Sequence, residues 1–290
     1  MSLRPQPFVS KLAFPEAPRW QAGALWFSDF YDQRVVRASP DGSLETIVIL
    51  ADDQPSGLGW LPDGRLLVVG MRKRQLLRVE EGRVTVAAEL GELAPGHCND
   101  MLVDAQGRAY IGNFGFDLQA RAPFAPTVLL MVPPGGAAHV VADDLHFSNG
   151  MALSPDGRTL LVAESYGKRL SAFDVHPDGT LHGRRTWAQF EEKGVAPDGI
   201  CLDAEGAVWM ASPVSREVLR VKEGGEITHR IATTEQATAC ALGGEDGRTL
   251  YVTVGRVMVT PEQSRAARTG AILQLRTDAM LSPFSTGSRS

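Results

Sequence analysis

Residues 147–164, FSNGMALSPDGRTLLVAE, decide the fold. A small polar residue opens the stretch and a short apolar run follows. Pro155-Asp156-Gly157 then turns the chain, and a second apolar run returns. Two apolar runs joined by turn chemistry describe a β-hairpin. The same unit recurs five more times, opening at Glu16, Ser56, Asn99, Asp198 and Thr238. The six openings lie 40, 43, 50, 49 and 40 residues apart, and a turn glycine follows each by seven to nine residues. A strand repeat of this period predicts an all-β, six-bladed β-propeller with one four-stranded blade per unit. A sandwich also contains hairpins, but nothing in it requires one pattern at a near-constant spacing.

The third and fourth strands of each blade are fainter. Residues 35–38 and 45–50 flank Pro40-Asp41-Gly42, and residues 169–175 and 184–189 flank Pro177-Asp178-Gly179. Residues 7–14 precede the first unit, and residues 270–276 form a strand with no blade after it. A ring leaves no open edge when its two ends pair, so these segments are expected to share the last blade. Residues 1–281 read as a single domain. Residues 282–290, short, polar and terminal, read as a flexible tail.

Composition limits the partners. A net charge of −5 without a basic stripe argues against nucleic acid and against an anionic membrane surface. No apolar run is long enough to span a bilayer, and the opening MSLRPQP lacks the apolar segment of a signal peptide. Cys98, Cys201 and Cys240 are odd in number, cannot form a closed disulfide set, and read as small core residues. The expected compartment is cytoplasmic. The sequence leaves the oligomeric state open.

Register places the chemistry. The innermost strand of every blade lines the central channel, so the six opening residues form a ring at one mouth. None of Glu16, Ser56, Asn99, Asn149, Asp198 and Thr238 is apolar. Converging carboxylates repel one another unless a cation lies between them. A divalent ion held by Glu16, Asn149 and Asp198 removes that conflict. Oxygen-only donors suit calcium, magnesium or manganese better than structural zinc. Asn149-Gly150 and Asp198-Gly199 are also hairpin-turn dipeptides, but each unit already has its turn about eight residues downstream. The ends of the second strands return to the same mouth and bring Asn113 with them. His97 lies just upstream of Asn99. Residues 114–126, the longest insertion after a second strand, read as a lid carrying Phe116 and Asp117.

On Phe14-Pro15-Glu16-Ala17-Pro18, Asn99-Asp100, Ser148-Asn149-Gly150-Met151 and Ala196-Pro197-Asp198-Gly199-Ile200, the chain resembles the SMP-30/gluconolactonase/luciferin-regenerating-enzyme family over nearly its whole length. The resemblance implies a six-bladed propeller holding one divalent metal through Glu16, Asn149 and Asp198, with Asn99 facing the substrate or completing the metal shell. It also implies hydrolysis of lactones, often sugar lactones. Members differ in their metal, so manganese, magnesium, zinc and iron stay open beside calcium. Sugar-lactone members similar to the animal protein carry arginine where His97 stands here. That departure, with Phe114, Phe116, Phe124 and the lid prolines, points to a substrate less polar than an aldonolactone.

The expected reaction is therefore metal-assisted opening of a lactone, with Asp198 taking the proton of the attacking water. Asn99, His97, Asn113, Asp117 and Phe116 are expected around the substrate, and His97 or Asp117 are alternative bases. No nucleophile elbow or Ser–His–Asp register supports covalent catalysis. An esterase or phosphotriesterase on the same scaffold, and a non-catalytic metal-binding propeller, are the competing readings.

Overall fold

The computed structural model describes residues 4–256 and 260–281. Six four-stranded antiparallel sheets follow one another along the chain. The first blade is Pro15–Gln21, Ala24–Asp29, Arg34–Ala38 and Leu44–Ile49, and the fourth is Ser148–Leu153, Thr159–Glu164, Arg169–Val175 and Leu181–Gln189. All six turn glycines, Gly23, Gly64, Gly107, Gly157, Gly206 and Gly247, have φ between 69° and 86°. An L side chain is strained in that region, so the repeated glycine is a backbone requirement.

Packing explains why the second strands are the most apolar. Six buried clusters each join residues of two successive blades. Ala152 and Leu161 of the fourth blade, for example, pack with Ile200 and Met210 of the fifth. Each sheet therefore buries both faces, and Leu66–Gly70 and Val208–Ser212 are buried throughout. The outermost strand Arg83–Glu89 is mostly exposed, with a charged residue at each end.

The ring closes as the termini predict. Gln6–Leu12 pairs antiparallel with Gly270–Arg276, from Gln6 opposite Gln274 to Leu12 opposite Gly270. Val9 and Leu12 seal the joint from inside. The expected tail, 282–290, lies outside the described residues. One element was not legible in sequence: the polar connection before Gly270 holds a helix, Pro261–Ala267, started by a reciprocal Thr260–Gln263 capping box. Ser264 of that helix donates to Ala13 O, and Arg265 to Tyr31 O, fastening it over the first blade.

Candidate metal centre and channel mouth

The opening residues interlock around the axis. Gly199 N donates to Thr238 O, Thr238 Oγ1 to Pro15 O, and Asn99 Nδ2 to Ser148 O at 3.3 Å. Glycine allows the approach. A Cβ on Gly199 would meet Ala239 Cβ at 2.2 Å, and one on Gly150 would meet Ile200 N at 2.5 Å. Both glycines are therefore packing positions between innermost strands, not turn residues.

Glu16, Asn149 and Asp198 are brought together at this ring. Glu16 and Asp198 keep part of their surface open to the channel, yet protein surrounds them. Burial, opposed by the hydrogen bond from the backbone N–H of Ala17 and reinforced by the nearby Asp100 charge, pushes the Glu16 pKa up to about 7. Burial raises the Asp198 pKa well above the carboxylate range; the Glu16 charge adds to it, and an Asn149 hydrogen bond draws it back. Asn149 is 8 % exposed and its Nδ2 also donates to Ser165 Oγ, which in turn donates to Pro197 O. Both carboxyls thus hold their protons to higher pH than a free carboxyl does, because their charged forms are shielded and face like charge.

Among the described residues, no three His, Cys, Asp or Glu side chains gather at metal-binding range. The axial set is two carboxylates with a carboxamide. Two acids whose charged forms are disfavoured by burial and by neighbouring carboxylates, beside an amide oxygen, are chemically fitted to one hard divalent cation.

Asp100 and Arg19 extend the site, and sequence reasoning missed both roles. Arg19 Nη2 reaches Asp100 Oδ1 at 2.6 Å and Met101 O at 2.8 Å, linking the innermost strands of the first and third blades. A usable signal was there: Arg19 is three residues into the first unit and Asp100 directly follows an opening residue. Thr238 hydrogen-bonds Glu16. Beyond the ring the channel widens toward the hairpin-turn end into a cavity of about 1320 Å³, lined by Arg19, Trp20, Met151, Cys201 and Cys240 among others. Neither Glu16 nor Asp198 is among its lining residues.

The mouth is more aromatic than expected. Tyr31 stands near Glu16, where burial and then the Glu16 charge raise its pKa. Phe114 stacks on Phe147 at 4.5 Å, and Phe124 stacks on Tyr166 at 5.8 Å. Phe116, expected to touch substrate, is 7 % exposed inside this cluster and contacts Phe124, Phe147 and Tyr166. The accessible aromatic faces are instead Phe124 and Tyr166, 44 % and 50 % exposed. Asn113, also expected at the substrate, is fully buried. Its Oδ1 accepts from Gly115 N and Thr127 Oγ1 and its Nδ2 donates to Val128 O, so it anchors the base of the lid. Asp117 is exposed and accepts from Ala120 N within the lid. His97 is half-buried. Burial, with Arg72 and Arg74, lowers its pKa against the opposing pull of Asp117, so the ring is neutral at pH 7.

Comparison with known proteins gives the family and the fold. The sequence profile of the SMP-30/Gluconolactonase/LRE-like region matches residues 14–256. Regucalcin of Danio rerio is 32% identical over 247 residues, covering 82% of this chain and 81% of that protein. The 6-deoxy-6-sulfogluconolactonase of Pseudomonas putida is 29% identical over 250 residues, 83% of each chain. Among solved structures, a calcium-binding regucalcin of Agrobacterium tumefaciens superposes with TM-score 0.83 at 22% identity, covering 99% of this chain and 98% of that one. A gluconolactonase of Xanthomonas campestris gives 0.75 at 25% identity, covering 93% and 88%. The chain belongs to the SMP-30/gluconolactonase/LRE-like family.

Proposed function

We propose that this protein is a divalent-metal-dependent lactonase whose substrate is less polar than an aldonolactone. The observation that carries the reading is the convergence of Glu16 and Asp198 at one channel mouth, with pKa values raised first by burial and then by neighbouring carboxylates, Asp100 at Glu16 and both Glu16 and Asp100 at Asp198. Glu16, Asn149 and Asp198 would hold the ion, with calcium favoured by their oxygen-only chemistry. When bound, such an ion polarises a carbonyl and lowers the pKa of water.

The chain's own groups do the rest. With Glu16 and Asp198 deprotonated, an Asp198 carboxylate oxygen accepts a proton from water attacking the lactone carbonyl, and returns it to the departing ring oxygen. Asn149 orients Asp198 through its amide. Asn99, 7 % exposed and fixed by its bond to Ser148 O, shapes the polar side of the pocket. Neutral His97 can take or lend a proton at the rim. Phe124 and Tyr166 present stacked faces to the apolar part of a substrate and keep water away from it.

The test is hydrolysis of a lactone panel, from gluconolactone to alkyl- and aryl-substituted γ- and δ-lactones. It is run with calcium, with manganese and with chelator. The expected outcome is ion-dependent ring opening, faster on the substituted lactones. Turnover indifferent to chelator and to Asp198→Asn would overturn the reading.

A further inference from the structure

Cys201 and Cys240 lie on the innermost strands of the fifth and sixth blades, and their Sγ atoms are 3.9 Å apart. Both side chains line the cavity at the hairpin-turn end of the channel. Cys201 is partly exposed there and Cys240 is buried. No other pair of thiols is available: Cys98 belongs to the core between the second and third blades. The two sulfurs would have to close by about 1.9 Å to reach the ~2.05 Å of a disulfide, a movement within reach of side-chain rotation on neighbouring strands. The cavity also gives a small reagent a route to the pair.

The geometry points to an oxidisable dithiol at this place, which a peroxide converts to a disulfide stapling the fifth blade to the sixth. In the first step the Cys201 sulfur attacks one oxygen of the peroxide and the O–O bond breaks. Cys201 becomes a sulfenic acid, and the Cys201 thiol proton leaves with the released hydroxide as water. In the second step the Cys240 sulfur attacks the Cys201 sulfur. The S–O bond breaks, the S–S bond forms, and the Cys240 proton departs with the hydroxide as a second water. Overall, two thiols lose two electrons and two protons to one peroxide. Burial raises the Cys240 pKa, and its Sγ donates to Trp209 O at 3.3 Å, which makes the more open Cys201 the sulfur oxidised first.

The staple sits close to the acid ring. Cys201 belongs to Ile200–Leu202, the short strand that directly follows Asp198-Gly199, and Cys240 Sγ lies 3.8 Å from Gly199 O. Drawing the sulfurs together pulls this strand toward the sixth blade and shifts Asp198. The consequence for hydrolysis rests on the proposed lactonase reading; the cross-link itself does not.

The experiment treats the full-length protein with hydrogen peroxide, blocks remaining thiols with N-ethylmaleimide, and maps peptides by mass spectrometry without reduction. The expected result is loss of two thiols, a 201–240 cross-linked peptide 2 Da lighter than its reduced components, and reversal by dithiothreitol. Cys98→Ser should behave as wild type, and Cys201→Ser and Cys240→Ser should give no cross-link. Retention of all three thiols, over-oxidation of Cys201 without linkage, or pairing through Cys98 would overturn the proposal. Wild-type peptides alone decide this, so a poorly folded variant does not blur the answer. In parallel, hydrolysis by the cross-linked protein should fall by about three-fold or more and recover on reduction. A complete cross-link with unchanged hydrolysis overturns the coupling to Asp198, whereas absence of hydrolysis from the reduced protein counts against the lactonase reading alone.

Discussion

Glu16 of the first blade raises the proton affinity of Asp198 of the fifth, although most of the polypeptide separates them in sequence. The ring brings the two carboxyls into one shielded site, and Asp100 presses on both. Such an arrangement stabilises nothing by itself. It makes sense as a site prepared for positive charge.

Stability without metal should therefore depend on pH in an unusual direction. A free carboxyl titrates near 4.5, and Glu16 in the folded chain near 7. Between those values the folded state binds more protons than the unfolded one, so stability falls as pH rises across that window. Asp198, shifted the same way, adds to the slope. In chelator, the melting temperature should drop on the order of 5 °C from pH 5 to pH 7.5. Saturating calcium should remove most of the drop. A flat or rising profile in chelator would contradict the acid-pair description.

Asp198→Asn separates function from stability. It removes the proton acceptor and a proposed ligand, and hydrolysis should fall about 10²-fold or more. It also removes a buried like charge, so the metal-free variant should melt higher than metal-free wild type at pH 7.5. Glu16→Gln should follow the same pattern. Asn149→Ala should weaken calcium binding in calorimetry with no comparable gain in stability.

Arg19 and Asp100 make the opposite case. Their ion pair at 2.6 Å is largely enclosed, with side-chain exposures of 20% and 9%. Arg19→Ala strands the Asp100 carboxylate inside the channel, at a cost of about 3 kcal/mol in denaturant unfolding. The double variant Arg19→Ala, Asp100→Asn should recover part of that loss. If the single variant unfolds with wild type, the pair is not a structural tie.

Phe124 and Tyr166 should set substrate preference. Removing either aromatic face by substitution with alanine should raise KM for aryl- or alkyl-substituted lactones about ten-fold. Gluconolactone turnover should change little. Equal effects on both substrate types would show that the lid acts through Asp198 geometry and not through apolar contact.

The sequence carried the fold because each blade is built from local signals. The turn glycines, the apolar second strands and the opening polar residues recur at a near-constant spacing, and ring closure follows from having strands left over at both ends. The same register carried Glu16, Asn149 and Asp198 to one mouth. It fared less well with Asn113 and Phe116. Both lie near the mouth, but Asn113 bonds inward to Thr127 and Val128, and Phe116 is covered by Phe124, Phe147 and Tyr166. The helix Pro261–Ala267 was hidden for a different reason: seven residues with one buried side chain give no readable apolar period.

By itself, then, the order of residues determined which side chains stand at equivalent points of the repeat, because strand alternation and turn geometry act over a few residues. Which of those side chains meet across the axis was decided only by tertiary structure. Arg19 finds Asp100, Glu16 presses on Asp198 with Tyr31 beside it, and Cys201 comes to rest against Cys240. Those encounters depend on the curvature that closes six sheets into a ring. Burial, and with it the energy of every charge in the channel, exists only once that ring is closed.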